Sequence, residues 1–179
     1  MKKLIRWIKI QISKIVLFFL YRAFHVAYHL DTNIEEEIDS WNENRQIEIK
    51  TEEKGPSLIL QKTNGEIKRI KEKTKESDIC IEFKSLDAAF LMLTGRLGVA
   101  MAYAEHRFML KGDISQAMSF VRCVDMIESY LFPYFMTKRI LKAKYKKQIS
   151  SIQMYLHVIF NWKTKSKTEE ERKNVTTIL

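Results

Sequence analysis

Two cysteines, two prolines and five glycines in 179 residues are few, and each scarcity removes a class of protein. Cys80 and Cys123 lack CxxC or zinc-type spacing and are too few for a disulfide framework, which points to a reducing cytoplasm and two buried free thiols. So little Gly and Pro leaves scant material for long irregular stretches, and disorder is expected only at the ends. The stretch from Met1 to Leu30 contains no acid, only Lys2, Lys3, Arg6, Lys9, Lys14 and Arg22 among its charges. Nor does any apolar run there approach the ~20 residues of a membrane-crossing helix, because Lys14 and Arg22 bracket Ile15-Val-Leu-Phe-Phe-Leu-Tyr21. A cleavable secretion signal is not expected either, since Tyr21-Arg-Ala-Phe-His25 offers no small-x-small site.

What is present suits one globular domain with extensions. The hydrophobic share is 46%, ordinary for a chain that buries a core. A formal charge of +9 implies attraction to something anionic: nucleic acid, phospholipid headgroups or an acidic partner. Residues 1–30 read as a basic, strongly apolar helix that either lies in a bilayer interface or packs on its own domain, and the interface is favoured. Its expected membrane contacts are Lys2, Lys3, Arg6, Trp7, Lys9, Phe18 and Phe19, joined later in the chain by Lys138, Arg139 and Lys142. The expected location is therefore cytoplasmic and peripheral on a membrane.

Residues 31–44 are acidic and polar, with Glu35, Glu36, Glu37, Asp39 and Glu43, and read as a solvated connecting helix or linker. From Arg45 the period becomes strand-like, with Ile47 and Ile49 on one face and Glu48 and Lys50 on the other. Gly55-Pro56 breaks this strand, Ser57 to Thr63 forms a second, and Asn64-Gly65 supplies a tight hairpin turn into a third. Asp78 to Lys84 alternates again, placing Ile79, Ile81 and Phe83 together, so four strands in meander order are expected to form an antiparallel sheet. Ser85 can cap a helix from Leu86 to Leu93, Gly95 separates it from a helix over Arg96 to Glu105, and His106 to Lys111 is a brief strand. Asp113, with Gln116 at the third position, starts the clearest helix, along which Ile114, Ala117, Met118, Val121, Val124 and Ile127 make an apolar stripe. Ser115, Gln116, Arg122, Asp125 and Glu128 are assigned to its polar side. Pro133 suits the first turn of a further basic helix, residues 149–162 continue mostly apolar, and 163–179 read as a polar tail.

Three stretches carry a resemblance: Ile81-Glu-Phe-Lys-Ser-Leu-Asp-Ala-Ala-Phe90, Leu93-Thr-Gly-Arg-Leu97, and Phe108-Met-Leu-Lys-Gly-Asp-Ile-Ser-Gln-Ala-Met118. In order and spacing, residues 45–131 resemble the sterol carrier protein 2 (SCP2) family, which leaves the first helix and everything after Leu131 as additions. The resemblance implies an α/β fold of the α+β type: a five-stranded, mainly antiparallel sheet covered by helices, here with added N- and C-terminal amphipathic helices. It implies a non-catalytic tunnel for sterols, acyl chains or isoprenoids, and, for bacterial members, an accessory role in lipid or quinone metabolism. Candidate wall residues are Phe83, Phe90, Leu93, Leu97, Met101, Phe108, Leu110, Met118, Val121 and Ile127, since thioethers and aromatic faces adapt to varied chains. The rival reading is a membrane-associated scaffold for lipid-pathway enzymes with no ligand of its own.

Catalytic machinery is not legible. His25 and His29 stand four residues apart with Asp31 nearby, but without HExxH they read as interfacial polar residues rather than metal ligands. No phosphate-binding Gly loop, nucleophile elbow or carboxylate pair occurs, and Asp87 and Asp113 are better explained as helix-start residues. No cofactor is expected. Nucleic acid is not expected as a partner either, because Tyr134, Phe135 and Tyr145, which would stack bases beside Lys138 to Lys147, fall within the apolar pattern of their helix.

Overall fold

The computed structural model describes residues 2–71, 76–141 and 145–160. Its elements are α1 (Lys2–Leu30), α2 (Thr32–Asp39), β1 (Gln46–Lys50), β2 (Ser57–Thr63), β3 (Glu66–Ile70), β4 (Ile79–Phe83), α3 (Leu86–Leu93), α4 (Val99–Ala104), β5 (Phe108–Gly112), α5 (Ile114–Leu131), α6 (Tyr134–Ile140) and α7 (Ser151–Phe160). The expected polar tail and Lys142 lie outside the described residues.

The five strands form one sheet in the order β3-β2-β1-β4-β5, which corrects the expected meander. The fourth strand does not follow the third; it crosses over to lie parallel to β1, while every other pair is antiparallel. Burial explains the choice. β1 is buried at its first four residues and needs a hydrogen-bonded neighbour on both edges, whereas β3 exposes Lys68 and Arg69 and serves as a charged edge. The register places Ile47 beside Ile79 and Ile49 beside Ile81, so the apolar alternation of the two strands builds one continuous face. At the β2–β3 corner both Asn64 (φ 53°) and Gly65 (φ 70°) take positive φ, the backbone of a two-residue hairpin turn.

The expected caps at Ser85 and Asp113 are present. Ser85 Oγ accepts from Ala88 N at 3.2 Å, and Asp113 Oδ1 accepts from Gln116 N at 2.9 Å. α4 is shorter than the expected Arg96 to Glu105. Its N-cap Gly98 lies so close to the Ile140 carbonyl that a Cβ would stand 2.3 Å from that oxygen, and this contact keeps 95–98 as a non-helical corner.

α2 also departs from expectation. It is a packed helix rather than a solvated spacer: Ile34 and Ile38 are fully buried, as is nearby Trp41, whose Nε1 donates to Ser119 Oγ at 2.7 Å. Ser119 in turn donates to Glu37 at 2.7 Å, and Arg122 donates to the same carboxyl oxygen, which holds the Glu37 carboxyl below its usual range. Asp31 starts the helix by accepting from Asn33 N at 3.0 Å and also accepts from the Tyr130 hydroxyl at 2.5 Å. Only the outward residues of this segment conform to its acidic pattern.

α1 divides into two halves. Ala23, Phe24, Val26 and Ala27 are buried in the core, with Phe24 stacked on Phe120 at 5.3 Å between ring centres. Leu4, Ile5, Trp7 and Ile8 remain exposed. No described helix is long and apolar enough to cross a membrane.

Candidate ligand cavity

The apolar face of the sheet is not sealed by its helices. A cavity of about 360 Å³ lies between them, at the lower end of the range of small-molecule pockets. Its floor is Ile49 on β1, Ile81 and Phe83 on β4, and Phe108 on β5. α3 contributes Met92 and Leu93, with Thr94 just beyond it, α4 contributes Val99, and α5 contributes Phe120, Val121, Val124, Glu128 and Leu131, with Phe132 just beyond. α1 closes one side with Val16, Phe19 and Leu20, and α7 another with Tyr155, Val158 and Ile159. Three lining side chains are substantially exposed: Phe19 (36%), Tyr155 (37%) and Ile159 (54%). The mouth therefore lies between α1 and α7, and exposed apolar residues continue outward from it, Ile15 and Phe18 on α1 and Ile152, Leu156 and Phe160 on α7.

Of the expected wall residues, Phe83, Leu93, Phe108 and Val121 line this cavity. Six do not. Ile127 is fully buried in the core, and Leu110 packs against that core from the β5 edge. Met101 (56% exposed) and Met118 (49% exposed) point outward, on the solvent sides of α4 and α5. Phe90 lies under the Lys9 ammonium, 5.7 Å from its ring centre, and Leu97 sits in the corner before α4.

The expected membrane contacts are placed as follows. Lys2, Lys3, Trp7, Lys138 and Arg139 are exposed. Arg6 and Lys9 are engaged within the protein, Arg6 with Glu52 at 2.5 Å and Lys9 with Asp87 at 2.7 Å, so these two tie α1 to the turn after β1 and to the start of α3. Phe18 is exposed, while Phe19 belongs to the cavity mouth.

Glu128 departs furthest from expectation. Assigned to the polar side of α5, it instead lines the cavity. Positions 121, 124, 128 and 131 follow i, i+3, i+7 and i+10, so the helical period itself puts this glutamate in the apolar stripe; the signal was the spacing, masked by the charge. Burial, with the Asp125 charge adding to it, pushes the Glu128 carboxyl up to about 8. The contribution of α1 and α7 carried no sequence signal beyond their apolar character.

A second depression of about 570 Å³ between α2 and α5 is lined mostly by polar residues, among them the Asp31–Tyr130 and Glu37–Arg122 pairs that fasten the two helices. His25 and His29 pack edge to face at 5.2 Å, with burial lowering the pKa of His29, and Asp31 is used as a helix cap. Among the described residues no group of three or more His, Cys, Asp or Glu is arranged to hold a metal ion. Cys80 and Cys123 are free and buried, and burial raises both thiol pKa values.

No family model matches the sequence. No curated protein matches it either. Among solved structures, the chain is similar to one described as "UbiJ-SCP2 Ubiquinone synthesis protein", with 16% identity, 68% of this chain and 96% of that chain covered, and a TM-score of 0.44. It is also similar to sterol carrier protein 2 like 2 from Aedes aegypti, with 14% identity, 54% and 94% covered, and a TM-score of 0.34. Both carry the name of the family that the sequence resembles.

Proposed function

We propose that this chain is a non-catalytic carrier for a long apolar molecule, of the sterol, acyl or isoprenoid kind, and that it loads and unloads at an anionic membrane surface. The observation that carries the reading is the cavity: an almost wholly apolar chamber between sheet and helices, open at a mouth whose rim is itself apolar. Such a chamber binds by removing hydrocarbon from water, worth about 25 cal/mol per Å² buried, and it needs few directional contacts. A lipid leaving a bilayer avoids water when the donor membrane meets the mouth directly, which gives the exposed residues around it a common purpose. Lys2, Lys3 and Lys14 on α1 and Lys138 and Arg139 on α6 are exposed cations, each worth about 1 kcal/mol near an anionic leaflet. A service to lipid or isoprenoid quinone metabolism is the pathway-level form of the same reading, and it rests on the family resemblance of residues 45–131.

Native mass spectrometry of the purified chain, with solvent extraction of what it retains, tests the carrier. Retained lipid, and displacement of a fluorescent acyl probe by it, is the expected result. A chain repeatedly free of lipid and unable to bind the probe would leave the scaffold reading in its place. Flotation with anionic liposomes tests the membrane step. Equal flotation with and without the exposed start of α1 would refute that helix's part in it.

A further inference from the structure

The cavity wall contains three side chains with polar atoms, and two of them have spent their donors. Thr94 Oγ1 donates to the Phe90 carbonyl at 2.6 Å, and the Tyr155 hydroxyl donates to the Leu131 carbonyl. The Glu128 carboxyl has no hydrogen-bond partner and no ion pair among the described residues, although it stands in the apolar cavity wall with Val121 and Val124. An unpartnered carboxyl in such a place is costly to the fold, and natural cores seldom keep one without use. Its raised pKa means that it holds its proton at neutral pH, so it presents one O–H donor and one carbonyl acceptor to the chamber.

We propose that Glu128 is the polar recognition point of the cavity, receiving the neutral oxygen head group, an alcohol or a carbonyl, of an otherwise apolar ligand. This rests on the carrier reading and narrows it to one ligand chemistry. A ligand carbonyl accepts the Glu128 O–H, and a ligand hydroxyl can both donate to and accept from the same carboxyl. Either arrangement gives the carboxyl a hydrogen bond that no described side chain supplies. Purely hydrocarbon ligands leave it unsatisfied, and anionic head groups meet the Asp125 charge nearby and apolar walls that disfavour charge. The site therefore distinguishes ligands by head group while its walls accept any tail of suitable bulk.

The test uses the full chain and the neutral fluorophore N-phenyl-1-naphthylamine, displaced by tail-matched dodecanol, dodecyl methyl ketone, dodecane and dodecyl sulfate, each below its aggregation limit. The alcohol and the ketone are expected to displace the probe at about tenfold lower free concentration than the alkane or the sulfate, the worth of one buried hydrogen bond. E128Q, which keeps a neutral donor and acceptor at the position, retains that order; E128L still binds the probe but brings alcohol and ketone level with the alkane. If the probe binds and E128L leaves the order unchanged, or if dodecyl sulfate competes as well as dodecanol in the wild type, Glu128 is not the recognition point. If the probe fails to bind the wild type at all, the carrier reading itself falls.

Discussion

Replacing Glu128 by Gln should preserve the ligand preference but change how stability depends on pH, and the size follows from the site. An unfolded glutamate titrates near 4.5, while burial in the cavity wall pushes the folded group to about 8. Below pH 4.5 both states hold the proton and the group is silent. Between 4.5 and 8 the unfolded chain has released its proton and the folded chain has not, so folding must take one up. Stability then falls by about 1.4 kcal/mol per pH unit from this group alone, until above pH 8 both states are ionised and the full penalty is present. The accumulated loss is about 3 kcal/mol at pH 7 and between about 4 and 5 kcal/mol by pH 8.5. Glutamine does not titrate, so the stability difference between E128Q and the wild type should widen by about 3 to 4 kcal/mol from pH 5 to pH 8.5. Urea unfolding followed by far-ultraviolet circular dichroism measures it at each pH, and the paired comparison cancels every other titrating group. Parallel pH profiles for the two proteins would refute the reasoning, since they would mean that the carboxyl reaches water or a partner and titrates normally.

Other outcomes follow from single contacts. Val121→Phe places a ring in the cavity wall and should weaken binding of N-phenyl-1-naphthylamine about tenfold or more with an unchanged circular dichroism spectrum; undiminished binding would place the probe elsewhere. Asp31→Ala removes both the α2 cap and the acceptor of the buried Tyr130 hydroxyl, so a loss of about 2 kcal/mol is expected in urea unfolding, and a loss under 0.5 kcal/mol, about the effect of an ordinary surface change, would discount the pairing. Reversing Lys2 and Lys3 to Glu should lower co-flotation with anionic liposomes by at least about 2 kcal/mol in partitioning while leaving neutral liposomes unaffected; equal loss on both would point to misfolding instead.

The local grammar of this chain was readable, and its long-range choices were not. Asn64-Gly65, Ser85 and Asp113 each announce a turn or a helix start through chemistry confined to a few residues, and each is found where that chemistry puts it. The alternation of Ile47 and Ile49 with Glu48, and of Ile79 and Ile81 with Cys80, gave the apolar face correctly. Which strand would lie beside which was a different kind of question, settled by the double burial of β1 and the charged edge of β3, and neither is visible within one strand. In residues 31–44 the surrounding acids obscure the buried stripe formed by Ile34 and Ile38, four apart. Charge masks position likewise at Glu128, which the helical period places in the cavity stripe. The cavity is half legible, since Phe83 and Phe108 near the strand ends line it, whereas flexible, apolar Met101 and Met118 suit such a wall by chemistry but stand on exposed sides of α4 and α5.

The chamber's floor and its closing sides differ in how firmly they are held. Ile49, Ile81, Phe83 and Phe108 belong to β1, β4 and β5, locked by ladders on neighbouring strands, while the mouth is bounded by the first and the last described helices. Largely exposed helices held by side-chain packing alone open more readily than strands paired in a ladder, because fewer cooperative bonds must break to release them. Amide hydrogen exchange should accordingly be fastest in α7 and the exposed start of α1, and the volume offered to a guest can grow by undocking a helix without disturbing one strand of the sheet. Access is thereby made a property of local stability, set at the edges of the fold, and it can be tuned by substitutions at Ile159 or Ile15 that never touch the floor on which the guest rests.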